Sequence, residues 1–233
     1  MCFKMVANKI DISQDVLDSQ GYFQISKLIS KSTCEDLIQL YNTPDHFRKT
    51  INMSRYRFGE GEYKYLKYPL PDLICELRQA LYSKIYPLAN NWQKMLGLKY
   101  EYPSNLQEFL DQCHNHGQVR STPLILKYEK GCYNTLHQDL YGSVYFPMQV
   151  ILSLNDPVYD YSGGHLVLTE QRPRAQSKAI VVNPGLGDAV IIPTQYRPLK
   201  GKNRYYKVNM KHGVSEVISG TRYTLGIIFH DSK

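Results

Sequence analysis

The sequence predicts a mainly β chain with a helical flank, an α+β arrangement. Two textural observations carry this. After Pro123 the chain breaks into short β-rich runs, each bounded by Gly, Pro or Asn-Asp turns. Before about residue 120 it shows helix starts and a four-residue apolar spacing. The 233 residues, 42% of them hydrophobic, suit one domain with a real core. The expected division is a mostly helical flank over 1–120, integral to the domain, and a β core over 121–233.

In chain order, Ser32-Thr33-Cys34-Glu35 reads as a capping box that opens a helix. Leu70-Pro71-Asp72 starts a second, whose stripe Leu73, Leu77, Leu81 and Ile85 faces a core. Strands are expected at Leu124–Tyr128, Met148–Leu154, Gly164–Thr169, Ala189–Ile192, Tyr205–His212 and Arg222–His230. Many short strands indicate a sandwich or barrel. Gly185 to Gly187 reads as a turn, because a dinucleotide loop needs a third glycine and a following helix. Glu170–Lys178 and Tyr196–Lys202 read as loops rimming the open end.

Five cysteines, odd in number, widely spaced and without a CxxC pair, argue against a disulfide framework or zinc ribbon. Residues 1–10 lack the apolar stretch of a signal peptide, and no run is long enough to span a membrane, so a cytoplasmic protein is expected. The net charge of +7 is concentrated: between Gln171 and His212 nine basic residues face the single acid Asp188, a local charge of +8. Such a segment either meets an anionic partner, nucleic acid or an acidic peptide, or is a solvated loop face.

His137-Gln138-Asp139 is the central pattern. On an extended chain, residues two apart share a face, so His137 and Asp139 aim at one point while Gln138 points away. His212, at the end of a distant expected strand, supplies a third group. Two imidazoles and a carboxylate leave about three positions open on a metal, the arrangement of non-haem iron(II) oxygenases. Ten residues on, Arg222 and Thr224 share a face, and a guanidinium fork beside a hydroxyl suits a carboxylate. An isolated His-x-Asp is common by chance, and an Arg often pairs with a structural acid. Other clusters are weaker. Cys113-His114-Asn115-His116 lacks distant partners for zinc, His165 reads as a surface histidine, and His230-Asp231 as a solvated pair near the chain end.

The run Tyr128 to Asp139 resembles the segment around the first two iron ligands of prolyl-hydroxylase-like oxygenases. His212 to Arg222 resembles their distal ligand and co-substrate arginine, and Ser162-Gly163-Gly164-His165-Leu166 the Gly-Gly turn between them. Tyr68-Pro69-Leu70-Pro71, His137–Tyr141, Thr169–Gln176 and Leu225–Asp231 are similar to a bacterial family of 2-oxoglutarate oxygenases labelled as oxidative demethylases of damaged nucleic acid. The resemblance implies a double-stranded β-helix, a distorted jelly roll, with Fe(II), 2-oxoglutarate and O2. His137, Asp139 and His212 would be the catalytic metal ligands. Arg222, with Thr224 by shared face, would hold 2-oxoglutarate, and Tyr128 matches a tyrosine that either contacts the co-substrate or packs in the core. The implied reaction is hydroxylation or oxidative demethylation of a C–H, with release of succinate and CO2.

Substrate identity is open at this level. A protein or peptide side chain is the first reading and nucleic acid the alternative. A binding module that kept the fold and lost turnover is a third, which the complete ligand set opposes. Arg172, Arg174, Arg197 and Tyr141 are candidate rim contacts, although Arg172 and Arg174 have the alternative role of tying their loop down. Tyr141, Tyr145, Phe146 and Tyr196 are candidates for stacking a base.

Overall fold

A computed structural model describes residues 10–233; residues 1–9, with Cys2 and the expected absence of a leader, lie outside the described residues. Helix α1 (Gln14–Gln20) is followed by β1 (Phe23–Ile25) and α2 (Lys31–Tyr41). α2 starts before the expected capping box: Ser30, with extended backbone, accepts the Thr33 N–H through its hydroxyl at 3.2 Å. Strands β2 (Phe47–Asn52), β3 (Gly59–Glu60) and β4 (Glu62–Leu66) precede the long helix α3 (Asp72–Met95) and then α4 (Leu106–Asn115). In α3, Leu77, Leu81 and Ile85 are fully buried, with Leu73 half-buried at its start. They pack on Ile125, Val150, Leu152, Leu225 and Ile227 of the sheet beneath, and each such side chain contributes about 2 kcal/mol by leaving water.

Ten strands follow: β5 (Leu124–Glu129), β6 (Tyr133–His137), β7 (Met148–Ser153), β8 (Tyr161–Gly163), β9 (Leu166–Gln171), β10 (Lys178–Val182), β11 (Ala189–Pro193), β12 (Tyr196–Lys200), β13 (Tyr205–Val214) and β14 (Val217–Ile227). The larger sheet runs β1-β11-β7-β14-β5-β4-β2, with β8 added on β14. The smaller runs β10-β9-β13-β6-β3, with β12 on β13. All pairings are antiparallel. This antiparallel double sheet with helices packed against it is the expected jelly-roll class.

Two expectations are corrected. The flank is not mostly helical throughout, since β1–β4 lie in it and extend both sheets. These strands are two to six residues long and two of them carry several charges (Phe47–Asn52, Glu62–Leu66), so backbone pairing rather than a strong apolar alternation defines them. Tyr196–Lys200 is a strand, not a loop; its Pro198 lies opposite Lys207. A proline is tolerated there because β12 pairs on one side only, with β13, and needs no second donor row. Among the described residues no helix is long and apolar enough to cross a membrane.

Candidate active site

Strand pairing brings the three expected ligands together. His137, the last residue of β6, is the direct cross-strand partner of His212 on β13. The register shifts between His212 and Val214, opposite Asn134 to His137, and β6 ends at His137, two residues before Asp139. Asp139 Oδ2 lies 3.2 Å from His212 Nε2, and Oδ1 lies 3.6 Å from His137 Nε2. One ligand atom from each residue lies within 4.8 Å of the others. Among the described residues no other His, Cys, Asp and Glu cluster has this form.

The surroundings favour the metal-binding protonation state. His137 Nδ1 donates to Thr135 O at 2.8 Å, which leaves Nε2 free toward Asp139. Burial, and then the neighbouring His212, push the His137 ring toward neutrality. Burial opposes ionisation of Asp139, but hydrogen bonding and charge from His212, then His137 and Tyr141, hold its carboxyl well below the usual range. An ionised carboxylate and a neutral imidazole are the forms in which Asp139 and His137 would bind a divalent cation. Tyr141 donates to Asp139 Oδ1 at 2.5 Å and Gln149 to Oδ2 at 2.9 Å, so both carboxylate oxygens are oriented.

The cluster opens into a cavity of about 190 Å³ between the sheets, lined also by Tyr128, Gln149, Arg222 and Thr224. Arg222 on β14 stands opposite Tyr128 on β5. Its guanidinium is 5.5 Å from the Tyr128 ring centroid. The residue is 1% exposed, yet its Nε and Nη1 have no hydrogen-bond partner, and it belongs to no ion pair. A buried cation left this way costs several kcal/mol, and a carboxylate in the cavity would relieve it by the fork geometry of Arg. The Gly-Gly turn makes room for it. A Cβ on Gly164, whose φ is +57°, would stand 3.0 Å from Arg222 Cδ and 2.9 Å from Val217 Cγ2. The residues present therefore fit both a divalent metal and a 2-oxo diacid.

The other sequence candidates separate. Arg197 is 2% exposed and its guanidinium binds Glu170 and the carbonyl of Asp18, so it is a structural group and not a rim contact. Arg172 pairs with the same Glu170 at 2.7 Å and keeps its side chain half exposed. Arg174 is exposed, on the turn after β9. Tyr141 acts through Asp139. Phe146 is fully buried and Lys207 covers Tyr196, which removes these two as free stacking surfaces, while the Tyr145 hydroxyl bonds Gln195 and Tyr196. His230 and Asp231 are not a solvated pair: both are 0% exposed, and burial pushes the His230 ring down to about 4. His114 hydrogen-bonds Asp231, and His116 the carbonyl of Gln112, so the Cys113–His116 cluster is spent on structure. His165 is half-buried and bonds Asn183.

Gln149 and Tyr63 are cavity residues that the sequence reading passed over. Gln149 had a signal, a lone amide in the otherwise apolar run Met148–Leu152 of a strand buried on both faces.

A double antiparallel sheet with a His-Asp-His cluster and a buried arginine facing it defines an oxygenase of the iron(II)- and 2-oxoglutarate-dependent class, with O2 as the oxidant. Residues 61–232 match the model of a family described as oxygenase, catalysing oxidative methylation of damaged DNA, and the chain belongs to that family. It is 44% identical over 164 residues to the uncharacterized protein Rv2227 of Mycobacterium tuberculosis, covering 70% of each chain. A Pseudomonas putida prolyl-4-hydroxylase superposes with a TM-score of 0.56 at 14% identity, covering 98% of this chain and 99% of that one. A Trichoplax adhaerens prolyl hydroxylase, in complex with a hypoxia inducible factor peptide fragment, gives 0.54 at 16% identity, with 97% and 89% covered. At such identities these two matches speak for the fold.

Proposed function

We propose that this oxygenase hydroxylates methyl C–H bonds on nucleic acid, with His137, Asp139 and His212 holding Fe(II) and Arg222 holding 2-oxoglutarate. The observation that carries the reading is the unpartnered, buried guanidinium of Arg222 in the same cavity as the three ligands. The bound metal and co-substrate supply the oxidising chemistry: substrate C–H, O2 and 2-oxoglutarate give C–OH, succinate and CO2. Where the carbon is an N-methyl group, the hydroxymethyl product collapses to formaldehyde and the unmodified base. The two histidines and Asp139 would hold the metal through three protein groups, leaving it positions for co-substrate and O2. Arg222 neutralises the distal carboxylate, with the Thr224 hydroxyl as a further donor and Tyr128 beside it. Tyr141 and Gln149 fix the Asp139 carboxylate so that it does not swing away from the metal. The apolar strands around the cavity keep bulk water from the reacting centre.

Nucleic acid takes precedence over the peptide reading on two grounds. The family description refers to DNA. The surface is also rich in cations, with eight of the nine basic residues between Gln171 and His212 outside the buried Arg197 site.

The test is succinate and formaldehyde release from a methylated single-stranded oligonucleotide with Fe(II) and 2-oxoglutarate. His137→Ala is expected to lower turnover by at least about a hundredfold, because two protein ligands hold Fe(II) poorly. Wild-type protein that forms no succinate, with or without oligonucleotide, would rule the oxygenase reading out. Succinate without any nucleic-acid stimulation would rule out the substrate class alone.

A further inference from the structure

The segment between β2 and β3 takes no part in holding metal or co-substrate, yet it reaches the cavity mouth. Its residues Arg55-Tyr56-Arg57-Phe58 alternate cation and aromatic ring. Tyr56 is 50% exposed and Phe58 45%. Their rings lie stacked, with centroids 5.6 Å apart and planes 19° from parallel, and Phe58 also forms part of the cavity wall.

The segment is held in place by its own bonds. Asn52 Oδ1 accepts from Ser54 N at 3.1 Å and from Ser54 Oγ at 2.6 Å. Phe58 N donates to Met53 O at 3.1 Å. Phe58 O accepts from both Thr135 N and Thr135 Oγ1 at 2.9 Å, and the Thr135 carbonyl in turn takes His137 Nδ1. The aromatic pair is therefore tied to the strand that carries a metal ligand. Gly59, at φ +125°, permits this approach, because a Cβ there would fall 2.3 Å from Tyr133 O. Arg57 sits at φ +60°, an uncommon conformation for a residue with a side chain. Arg55 and Arg57 are exposed and belong to none of the ion pairs, and Glu60 is the one acid of this stretch.

We propose that Tyr56 and Phe58 form a stacking platform for an unpaired nucleobase of a single-stranded substrate at the cavity entrance, with Arg55 and Arg57 on its flanking phosphates. This deepens, and rests on, the nucleic-acid reading of the same site. Flat rings beside free guanidinium groups suit the π face of a base and the charge next to it. An uncharged peptide would leave both arginines unused.

The experiment measures binding of a short fluorescein-labelled oligothymidine to the full chain by anisotropy, over a range of salt. Tyr56→Ala and Phe58→Ala are each expected to weaken binding about tenfold, and Phe58→Trp to match or exceed wild type. Arg57→Ala is expected to reduce the salt slope by about 0.7, one phosphate on a single strand. Alanine variants that bind like wild type would overturn the platform, as would a Phe58→Trp variant weaker than wild type. So would a wild type that ignores the oligonucleotide but binds a neutral peptide. Succinate formation by the wild type alone, without oligonucleotide, reports separately on the oxygenase centre, so loss of one reading is not mistaken for loss of the other.

Discussion

At the scale of single residues, Arg222 is the group whose environment is incomplete. It is buried at 1% exposure without an anion to answer its charge. Arg222→Ala is expected to weaken 2-oxoglutarate binding by at least about tenfold, the loss of a charge-assisted hydrogen-bond pair. Arg222→Lys recovers part of it, since a lysine offers a point charge without the fork. Thermal denaturation separates this from a folding defect. The alanine variant without ligand should be as stable as wild type or more so, because an uncompensated buried charge has been removed. A destabilised variant that retains wild-type affinity for 2-oxoglutarate would sink the assignment. Arg222 was legible as a candidate by pattern, ten residues beyond His212 with Thr224 on its face. That it had no structural acid to pair with was not legible, because a partner can come from any strand.

At the scale of elements, the smaller sheet is fastened by one buried carboxylate. Glu170 on β9 is 1% exposed and pairs with Arg197 on β12 and with Arg172 in the turn that follows β9. Burial alone would raise its pKa, but the hydrogen bonds and charges of Arg172 and Arg197 outweigh it and hold the carboxyl below the ordinary 4.5. A depressed pKa means that the ionised form stabilises the fold. Its contribution is complete above about 4.5 and is lost as the pH falls through the lower folded value. Urea denaturation followed from pH 7 downward should show stability falling below about 4.5. Glu170→Gln should be less stable by about 3 kcal/mol at neutral pH, because Arg197 is left buried and unpaired, and should flatten that part of the profile. An unchanged acid slope in the variant would show that other carboxylates dominate. From the sequence, Glu170, Arg172 and Arg197 read as loop residues near a substrate. They read so because charge and proline mark loops locally, whereas the buried Glu170–Arg197 pair depends on the β12–β13–β9 pairing.

At the scale of the whole molecule, the C-terminus is joined to the helical layer through Asp231. Its carboxylate accepts from Arg78 Nη2 at 3.0 Å and Tyr68 OH at 2.8 Å, and hydrogen-bonds His114 Nε2 at 2.9 Å. Arg78 lies on α3, His114 on α4, and Tyr68 between β4 and α3. Its guanidinium also donates to the carbonyls of Ile228 and Phe229 just beyond β14. One side chain thus couples the segment after β14 to two helices. Asp231→Ala is expected to lower global stability by about 3–5 kcal/mol, the cost of breaking a buried pair from one side. A change below about 1 kcal/mol in chemical denaturation would mean that water replaces the carboxylate and the coupling is weak.

By itself the sequence determined the β-rich second half and the long apolar helix, and it singled out His137, Asp139, His212 and Arg222 as candidates. These are local or ordered signals: strand and helix periods repeat within a few residues, and His-x-Asp shares a face wherever the chain is extended. Tertiary structure alone decided that His137 and His212 are cross-strand partners, that Arg222 is left without an acid, that Arg197 and Asp231 are buried, and that Phe58 lines the cavity with Tyr56 stacked on it. Each of these depends on which distant strands pair and in what register. A shift of one residue reverses every side chain of a strand between cavity and solvent, and nothing within the strand itself specifies its partner.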